Sequence, residues 1–325
     1  MAWDDANELK VFAGRHAIDL AERVCEHLEI PLGSARTEVF PDGELIVHTE
    51  EDVRGRDCFV ILSTCDPVND NLMELLIFAD SLRRASARRI TAVVPYFGYA
   101  RQDRKERGRT PITAKLTANL ITTAGYTRVL ALDLHAAQIQ GFFDLPVDHL
   151  TAGAIFHRHF SESPLEDLVV VSPDVGNVKV ANQYAALLGG ELAIIHKKRL
   201  SSDSVQSSTI IGDVQGRTVL MVDDMISTGS TICEAATLLK ANGAGRILVA
   251  ATHAVLVGNA LEKLAASPIS ELVVTNSIPP GDRFEPMKDR VKVLCVGKLF
   301  ADAISHIHHN KSVSALFRQF AETKR

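Results

Sequence analysis

The chain has 325 residues, 46% of them hydrophobic, and a formal net charge of −5. That is length for about two domains and apolar content for a sizeable core. The slight negative charge excludes the global basic field by which a protein holds nucleic acid. No apolar stretch reaches the roughly 18–20 residues that span a bilayer, and the opening MAWDDANELK is acidic and polar, unlike a signal or transit peptide. The five cysteines (Cys25, Cys58, Cys65, Cys233 and Cys295) show no CxxC spacing and read as buried free thiols of a reducing compartment. A cytoplasmic globular protein, with neither membrane nor nucleic acid as partner, is the expectation.

Strand-like and helical runs alternate along the chain, which predicts α/β architecture with parallel sheets. Leu9–Ala13 reads as a strand and Ala17–Leu28 as a helix. Glu38–Phe40 leads into the turn Pro41-Asp42-Gly43-Glu44, after which Leu45–Thr49 resumes as a strand. Asp57–Leu62, Ile90–Val94 and Val129–Leu132 read as strands, with helices at Leu72–Ala85 and Thr113–Thr123. The second half continues with strands at Leu168–Val171, Ala193–Ile195, Val219–Val222, Ile247–Ala251 and Leu272–Thr275, and with helices at Val178–Leu188 and from Thr231. An internal repeat joins the halves. Val53-Arg54-Gly55-Arg56 and Val214-Gln215-Gly216-Arg217 each open a strand, loop, helix and strand. The repeat predicts two related domains with a boundary near 145–155.

The stretch 217–239 carries the strongest chemistry. An apolar strand, Val219–Val222, ends in two adjacent carboxylates, Asp223 and Asp224. A small-residue turn, Ser227-Thr228-Gly229-Ser230-Thr231, then opens an amphipathic helix. Backbone N–H groups and hydroxyls at such a helix start converge on an anion at the positive end of the dipole. The carboxylates suit sugar hydroxyls or a metal. Together they describe a ligand with a polyol at one end and a phosphate at the other. The matching loop of the first half, Ser63-Thr64-Cys65-Asp66-Pro67, has neither the carboxylate pair nor the TGST turn. Neither GxxxxGK[ST] nor GxGxxG occurs, so a nucleotide would bind outside those fingerprints.

Four other groups carry chemistry. Arg101-Gln102-Asp103-Arg104-Lys105, with Arg107 and Arg109, reads either as a solvated charge run or as a mobile clamp on a polyphosphate, with Tyr96 and Phe97 as an aromatic wall nearby. His135 and Asp174 each follow a strand, where open α/β sheets bind ligands. The histidine reads as structural or as a metal ligand, and Asp174 as a turn residue or, with His135, as a site for Mg²⁺ completed by water and phosphate oxygens. His196-Lys197-Lys198-Arg199, before a serine-rich segment at 201–209, reads as an ordinary basic turn or as a flexible cationic loop. Such a loop closes over a transferring group and stabilises its developing charge.

The Asp223–Thr231 stretch resembles the phosphoribosyl pyrophosphate-binding motif of the type I phosphoribosyltransferase fold. Most of the chain resembles one family within it, the ribose-phosphate pyrophosphokinases. The resemblance is carried by FPDGE (40–44), PVNDNLMELL (67–76), RITAVVPYFGYARQDRK (89–105), DLHAAQIQGFFDLPVDHL (133–150), VVSPDVGNVKVA (170–181), VDDMISTGST (222–231) and SVSALF (312–317). It implies two tandem phosphoribosyltransferase-like domains, each a mainly parallel sheet flanked by helices and related by duplication. The first, ATP-side domain would span 8–150, with a C-terminal helix at 308–325 packed on it; the second would span 151–307. It also implies Mg²⁺-dependent transfer of the β,γ-diphosphoryl group of ATP to the 1-hydroxyl of ribose 5-phosphate. Asp42, Gly43, Glu44, Arg101 and Gln102 would bind ATP, and His135 and Asp174 would bind Mg²⁺. Lys197 would stabilise the transition state, with Arg199 on ribose 5-phosphate or the transferring phosphates. Asp223 and Asp224 would hold ribose hydroxyls, and Ser227, Thr228, Gly229, Ser230 and Thr231 the 5-phosphate. Assembly as a homohexamer of dimers, activation by phosphate and inhibition by ADP complete what the resemblance implies. Two departures stand out. Ser227 and Ser230 occupy positions where many members carry Asp and Gly, which predicts tuned phosphate affinity. The basic loop reads His-Lys-Lys-Arg where many read Asp-Lys-Arg-Arg. A non-catalytic regulatory homologue should have lost the loop lysine, the histidine or the carboxylate pair. A salvage phosphoribosyltransferase would need neither FPDGE, RQDRK nor a duplicated half.

Overall fold

A computed structural model describes residues 9–174, 176–198 and 207–316. The chain divides into two compact units, one holding residues up to 151 with 277–279 and the segment from 295, the other 152–276 and 280–294. None of the described helices is long and apolar enough to cross a membrane.

The first unit is built on a five-stranded, wholly parallel sheet of β1 (Leu9–Ala13), β4 (Asp57–Ile61), β5 (Arg89–Val94), β6 (Arg128–Leu132) and β7 (Val147–Leu150), adjacent in that order. Its interior strands are near-continuous apolar runs because helices cover both faces of such a sheet; all five residues of β4 are buried. The large side chains beneath are Phe12, Phe59 and Phe78, each fully buried, and worth about 1.5–3 kcal/mol apiece. Helices α1 (Ile18–Leu28), α2 (Val68–Arg84) and α3 (Thr113–Ala124) connect the strands. α3 stops at Gly125, whose φ of +118° belongs to the left-handed region that glycine enters freely. A separate antiparallel hairpin, β2 (Ala35–Val39) and β3 (Leu45–Thr49), lies against α2. β2 begins earlier than its apolar content suggests, since Ala35, Arg36 and Thr37 pair with Thr49, His48 and Val47. Helix α8 (Gly297–His308) belongs to this unit and packs on α1, where a Cβ at Gly297 would stand 2.9 Å from the Arg23 Cβ. Of the C-terminal helix expected over 308–325, α8 ends at His308, residues 309–314 are not helical and 315–316 begin a helix; the remainder lies outside the described residues.

The second unit is a seven-stranded sheet in the order β10 (Ser207–Ile211), β9 (Glu191–Lys198), β8 (Leu168–Ser172), β11 (Thr218–Ile226), β12 (Ile247–Ala254), β13 (Glu271–Thr275), β14 (Val291–Leu294). All pairs are parallel except β10 with β9. Helices α4 (Gly153–Glu162), α5 (Val178–Leu188), α6 (Ser230–Ala241) and α7 (Ala260–Ala266) accompany it. Val171, Met221, Val249 and Val274 lie in one buried apolar cluster with Ile232, Ala236 and Leu239 of α6, which fixes where α6 starts relative to the strand ends.

Two sequence expectations change here. The basic run at 196–199 does not begin as a turn: β9 runs on through Lys198, with Lys197 opposite Ser208. The serine-rich stretch is not loop throughout, because Ser207–Thr209 are the first residues of β10, while 201–206 lie outside the described residues. A β-branched run, Thr209-Ile210-Ile211, supplies the strand propensity that the serines hide.

Candidate active site

In the second unit the site grows from the C-terminal end of β11. The strand does not stop at Val222 but continues to Ile226. Its neighbour β8 stops pairing at Met221, whereas β12 continues alongside through Asp223, Met225 and Ile226. Asp223 and Asp224 therefore stand where one flank of the strand has lost its partner, the usual place for ligands in an open α/β sheet. The Asp224 N–H donates to Asp223 Oδ1 at 2.9 Å. Burial, then the hydrogen bond to and charge of Asp224, and lastly the charge of Asp174, push the Asp223 carboxyl up to about 8.

The loop after β8 is tied into the same corner. Ser172 Oγ donates to the Asp174 carbonyl at 2.6 Å, and the Asn177 N–H donates to Asp174 Oδ1 at 3.0 Å. The Asn177 side-chain amide reaches across to the Val222 carbonyl at 2.6 Å. Asp174 is thus the turn residue its position suggests, and its charge also bears on Asp223. Asn177 fixes the two strand ends to each other. It sits inside the quoted VVSPDVGNVKVA motif, but no spacing rule marks it out.

The turn that follows β11 enters α6 through a glycine. Gly229 precedes α6 with φ +72°, and a Cβ there would meet the Ala260 carbonyl and Leu264 Cγ at 3.5 and 3.6 Å. A backbone of this hand against α7 calls for glycine. Val257 N–H donates to the Ser227 carbonyl at 3.0 Å, which anchors the turn to the chain leaving β12. Thr228 and Thr231 are exposed, Ser227 and Ser230 half-buried. The first turn of α6 contains no acidic residue, so its N–H groups face no competing carboxylate of their own helix.

In the first unit, FPDGE forms the tip of the β2–β3 hairpin. Phe40 N–H donates to the Glu44 carbonyl and Gly43 N–H to the Phe40 carbonyl, both at 2.8 Å; Asp42 Oδ1 accepts the Glu44 N–H at 3.1 Å. Gly43, at φ +92°, makes that turn possible. Asp42, Gly43 and Glu44 are all exposed. Arg101 and Gln102 are exposed on the loop after β5. That loop is anchored by Gln102, whose N–H donates to the Tyr99 carbonyl at 2.9 Å and whose carbonyl accepts the Ala114 N–H at 3.2 Å. The expected aromatic wall does not form: Tyr96 and Phe97 are buried at 7% and 2% exposure, and Phe97 packs edge-on against Phe143. They are core residues, drawn in by the apolar area they remove from water.

His135 is exposed just beyond β6. The backbone leading to it is held from β7: Asp133 N–H donates to the Leu150 carbonyl at 3.0 Å and Leu134 N–H to His149 Nε2 at 2.9 Å. Burial lowers the His149 pKa, partly opposed by the Asp133 charge, which keeps this ring nitrogen an acceptor. Lys197 lies near the end of β9, and Arg199 falls outside the described residues. Among the described residues no group of three or more His, Cys, Asp or Glu side chains is arranged to hold a metal ion. The carboxylate of Asp174, at a strand end, is by its chemistry a hard oxygen donor that suits a divalent cation keeping most of its water or phosphate ligands. The raised pKa of Asp223 comes first from burial and only then from the neighbouring Asp224 and Asp174.

Residues 9–125 match the family model for the N-terminal domain of ribose phosphate pyrophosphokinase, and residues 200–318 that for the phosphoribosyl synthetase-associated domain. A ribose-phosphate pyrophosphokinase of Rhodopirellula baltica is 53% identical over 316 residues, covering 96% of this chain and 99% of that protein. One from Caldanaerobacter subterraneus is 50% identical, covering 96% and 98%. The crystal structure of phosphoribosylpyrophosphate synthetase from Mycobacterium smegmatis superposes with a TM-score of 0.88 at 44% identity, over 93% of this chain and 99% of that one.

Proposed function

The chain belongs to the ribose-phosphate pyrophosphokinase family, and from that premise we propose that it catalyses Mg²⁺-dependent transfer of the diphosphoryl group of ATP to ribose 5-phosphate. The observation that carries this reading is the β11–α6 junction, a carboxylate pair followed by a hydroxyl-lined turn at a helix start with no acid in its first turn. Asp223 and Asp224 accept hydrogen bonds from the ribose hydroxyls, and Ser227, Thr228, Gly229, Ser230 and Thr231 receive the 5-phosphate on N–H and O–H donors. Asp42, Gly43 and Glu44 of the hairpin tip, with Arg101 and Gln102, hold ATP.

In the reaction the 1-hydroxyl oxygen of the sugar gives up its proton to solvent and forms a bond to the β-phosphorus of ATP. The bond from that phosphorus to the α,β-bridging oxygen breaks, and AMP leaves with the electron pair. Lys197, with Arg199, meets the charge that develops on the transferred group. Mg²⁺, held by His135 and Asp174, would neutralise phosphate charge when bound. A salvage transferase would use the same cradle but has no need for the FPDGE hairpin, and a silent regulatory homologue would not keep Lys197, His135 and both carboxylates. Met73 on α2 and Leu116 and Leu120 on α3 stay exposed, which supports self-association, here read as a homohexamer of dimers. The segment 312–317 is assigned to effector binding, with phosphate activating and ADP inhibiting; Phe317 lies outside the described residues.

The deciding experiment measures AMP formed from ATP with and without ribose 5-phosphate and Mg²⁺. Ribose 5-phosphate-dependent AMP is expected; its absence overturns the proposal.

A further inference from the structure

Helix α7 supplies a cation to the α6 turn. Lys263 Nζ donates to Ser230 Oγ at 2.9 Å, and the Thr228 hydroxyl approaches the same oxygen at 3.4 Å. Ser230 is the first residue of α6, directly after Gly229, and Lys263 is half-buried. Among the described residues no carboxylate lies within ion-pair distance of Lys263, whereas Arg246 and Lys298 each have one and Arg217 has two. Its charge is also felt by the Cys233 thiol one turn into α6, where it opposes the upward push of burial. A half-buried ammonium turned onto a helix start without a carboxylate partner lacks its counter-charge.

The hydroxyl chemistry adds direction. A serine oxygen has two lone pairs and one proton. With both lone pairs approached by Lys263 and Thr228, the O–H of Ser230 is left as a donor, and the ammonium strengthens it by polarisation. Both groups then act on one anion: the hydroxyl by hydrogen bond, the ammonium by charge. We infer that Lys263 is a binding residue for the 5-phosphate of the sugar acceptor, acting together with Ser230. The inference rests on the ribose 5-phosphate reading of the β11–α6 turn, and it assigns a role to Ser230.

The test is a kinetic cycle on the full chain with Lys263→Met, Lys263→Arg, Ser230→Ala and the Lys263→Met/Ser230→Ala double variant. Methionine keeps the apolar stem that the lysine packs, so the fold is retained. Lys263→Met should raise the KM for ribose 5-phosphate about tenfold or more, the scale of a lost charge-assisted contact, with kcat and the KM for ATP within about twofold. Lys263→Arg should restore most of the affinity, and the double variant should lose less than the product of the single losses. An unchanged KM for ribose 5-phosphate in Lys263→Met, or an equal change in both KM values, overturns the inference. A parallel thermal shift with ribose 5-phosphate separates this from the reaction itself. If the wild type forms no AMP yet is stabilised by the sugar phosphate, the reaction assignment fails and the comparison of shifts judges Lys263. If the wild type shows no shift at all, both fail.

Discussion

The loop after β4 and the loop after β11 occupy equivalent places: each leaves a parallel strand flanked by its neighbours and leads straight into a helix, α2 or α6. Both contain two or more hydroxyl residues. In the first unit those hydroxyls are consumed by the protein. Ser63 and Thr64 are buried at 2% and 1% exposure. Ser63 Oγ donates to the Ser277 carbonyl and accepts the Tyr96 N–H. Thr64 Oγ1 donates to the Tyr96 carbonyl at 3.1 Å and accepts the Gly98 N–H at 2.6 Å. Gly98 lies so close that a Cβ would stand 2.4 Å from the Thr64 carbonyl oxygen. The helix start that follows carries Asp70 in its first turn, which repels an anion. In the second unit Thr228 and Thr231 are exposed and no acid occupies the helix start. One strand–loop–helix frame has its hydroxyls riveted into the protein in one unit and left at the surface in the other, where the proposed function puts the ligand.

That contrast can be broken experimentally. The largest effect should come from the second unit's sheet: Lys197→Ala is expected to lower kcat by about two orders of magnitude or more with KM little changed, as for a group acting in the transition state. Steady-state AMP formation measures it, and both parameters within about twofold of wild type would remove Lys197 from the chemistry. Next comes the rivet. Thr64→Val leaves the buried Gly98 N–H without its acceptor, while the Tyr96 carbonyl keeps the Thr64 backbone N–H, so urea unfolding should show a loss of about 1–3 kcal/mol. A loss below about 0.5 kcal/mol would mean that the loop is not a fixing point.

Asp223 gives a pH signature. Its folded pKa, about 8, lies above the ordinary value of 3.8. Its contribution to stability is therefore full below that ordinary value and lost as pH rises through about 8, since the folded state holds the proton longer. Thermal melts of the ligand-free protein, without divalent cation, should show this decline for the wild type and a flatter profile for Asp223→Asn; identical profiles would exclude the buried carboxyl. The smallest effect belongs to the cradle rim. Thr228→Val should change stability by less than about 0.5 kcal/mol while raising the KM for ribose 5-phosphate by about threefold to tenfold. Equal stability losses for Thr64→Val and Thr228→Val would erase the distinction.

Much of the frame was legible in the sequence because interior parallel strands are continuous apolar runs: Asp57–Ile61, Arg89–Val94 and Ile247–Ala254 announce themselves. The short edge strands do not. Val147–Leu150 and Val291–Leu294 mix polar and apolar residues because one flank lacks a partner. The carboxylate pair and the TGST turn were visible as local motifs. What escaped were contacts between elements. Asn177 meets Val222 across 45 residues, and Lys263 meets Ser230 across 33. Neither pair lies at helical or strand spacing, so periodicity carries no trace of it. Lys197 reads as part of a turn or loop but lies in a strand, because the apolar content of β9 gives way to charge two residues before the strand ends.

The fixing of the β2–β3 hairpin has a consequence for engineering. Its base is held by polar bolts: Thr37 Oγ1 donates to Glu74 Oε1 at 2.8 Å, and Thr49 lies 3.1 Å from Ser81. Glu74, fully buried, also accepts the Arg15 backbone N–H and Nε at 3.0 and 3.1 Å. The tip at 40–44, by contrast, is closed mainly by its own turn. Base and tip are therefore separable modules. If the proposed ATP role of the tip holds, Phe40 and Glu44 can be randomised to seek new nucleotide donors with little threat to folding, provided Thr37, Thr49 and Glu74 are left alone and Asp42 and Gly43 keep the turn.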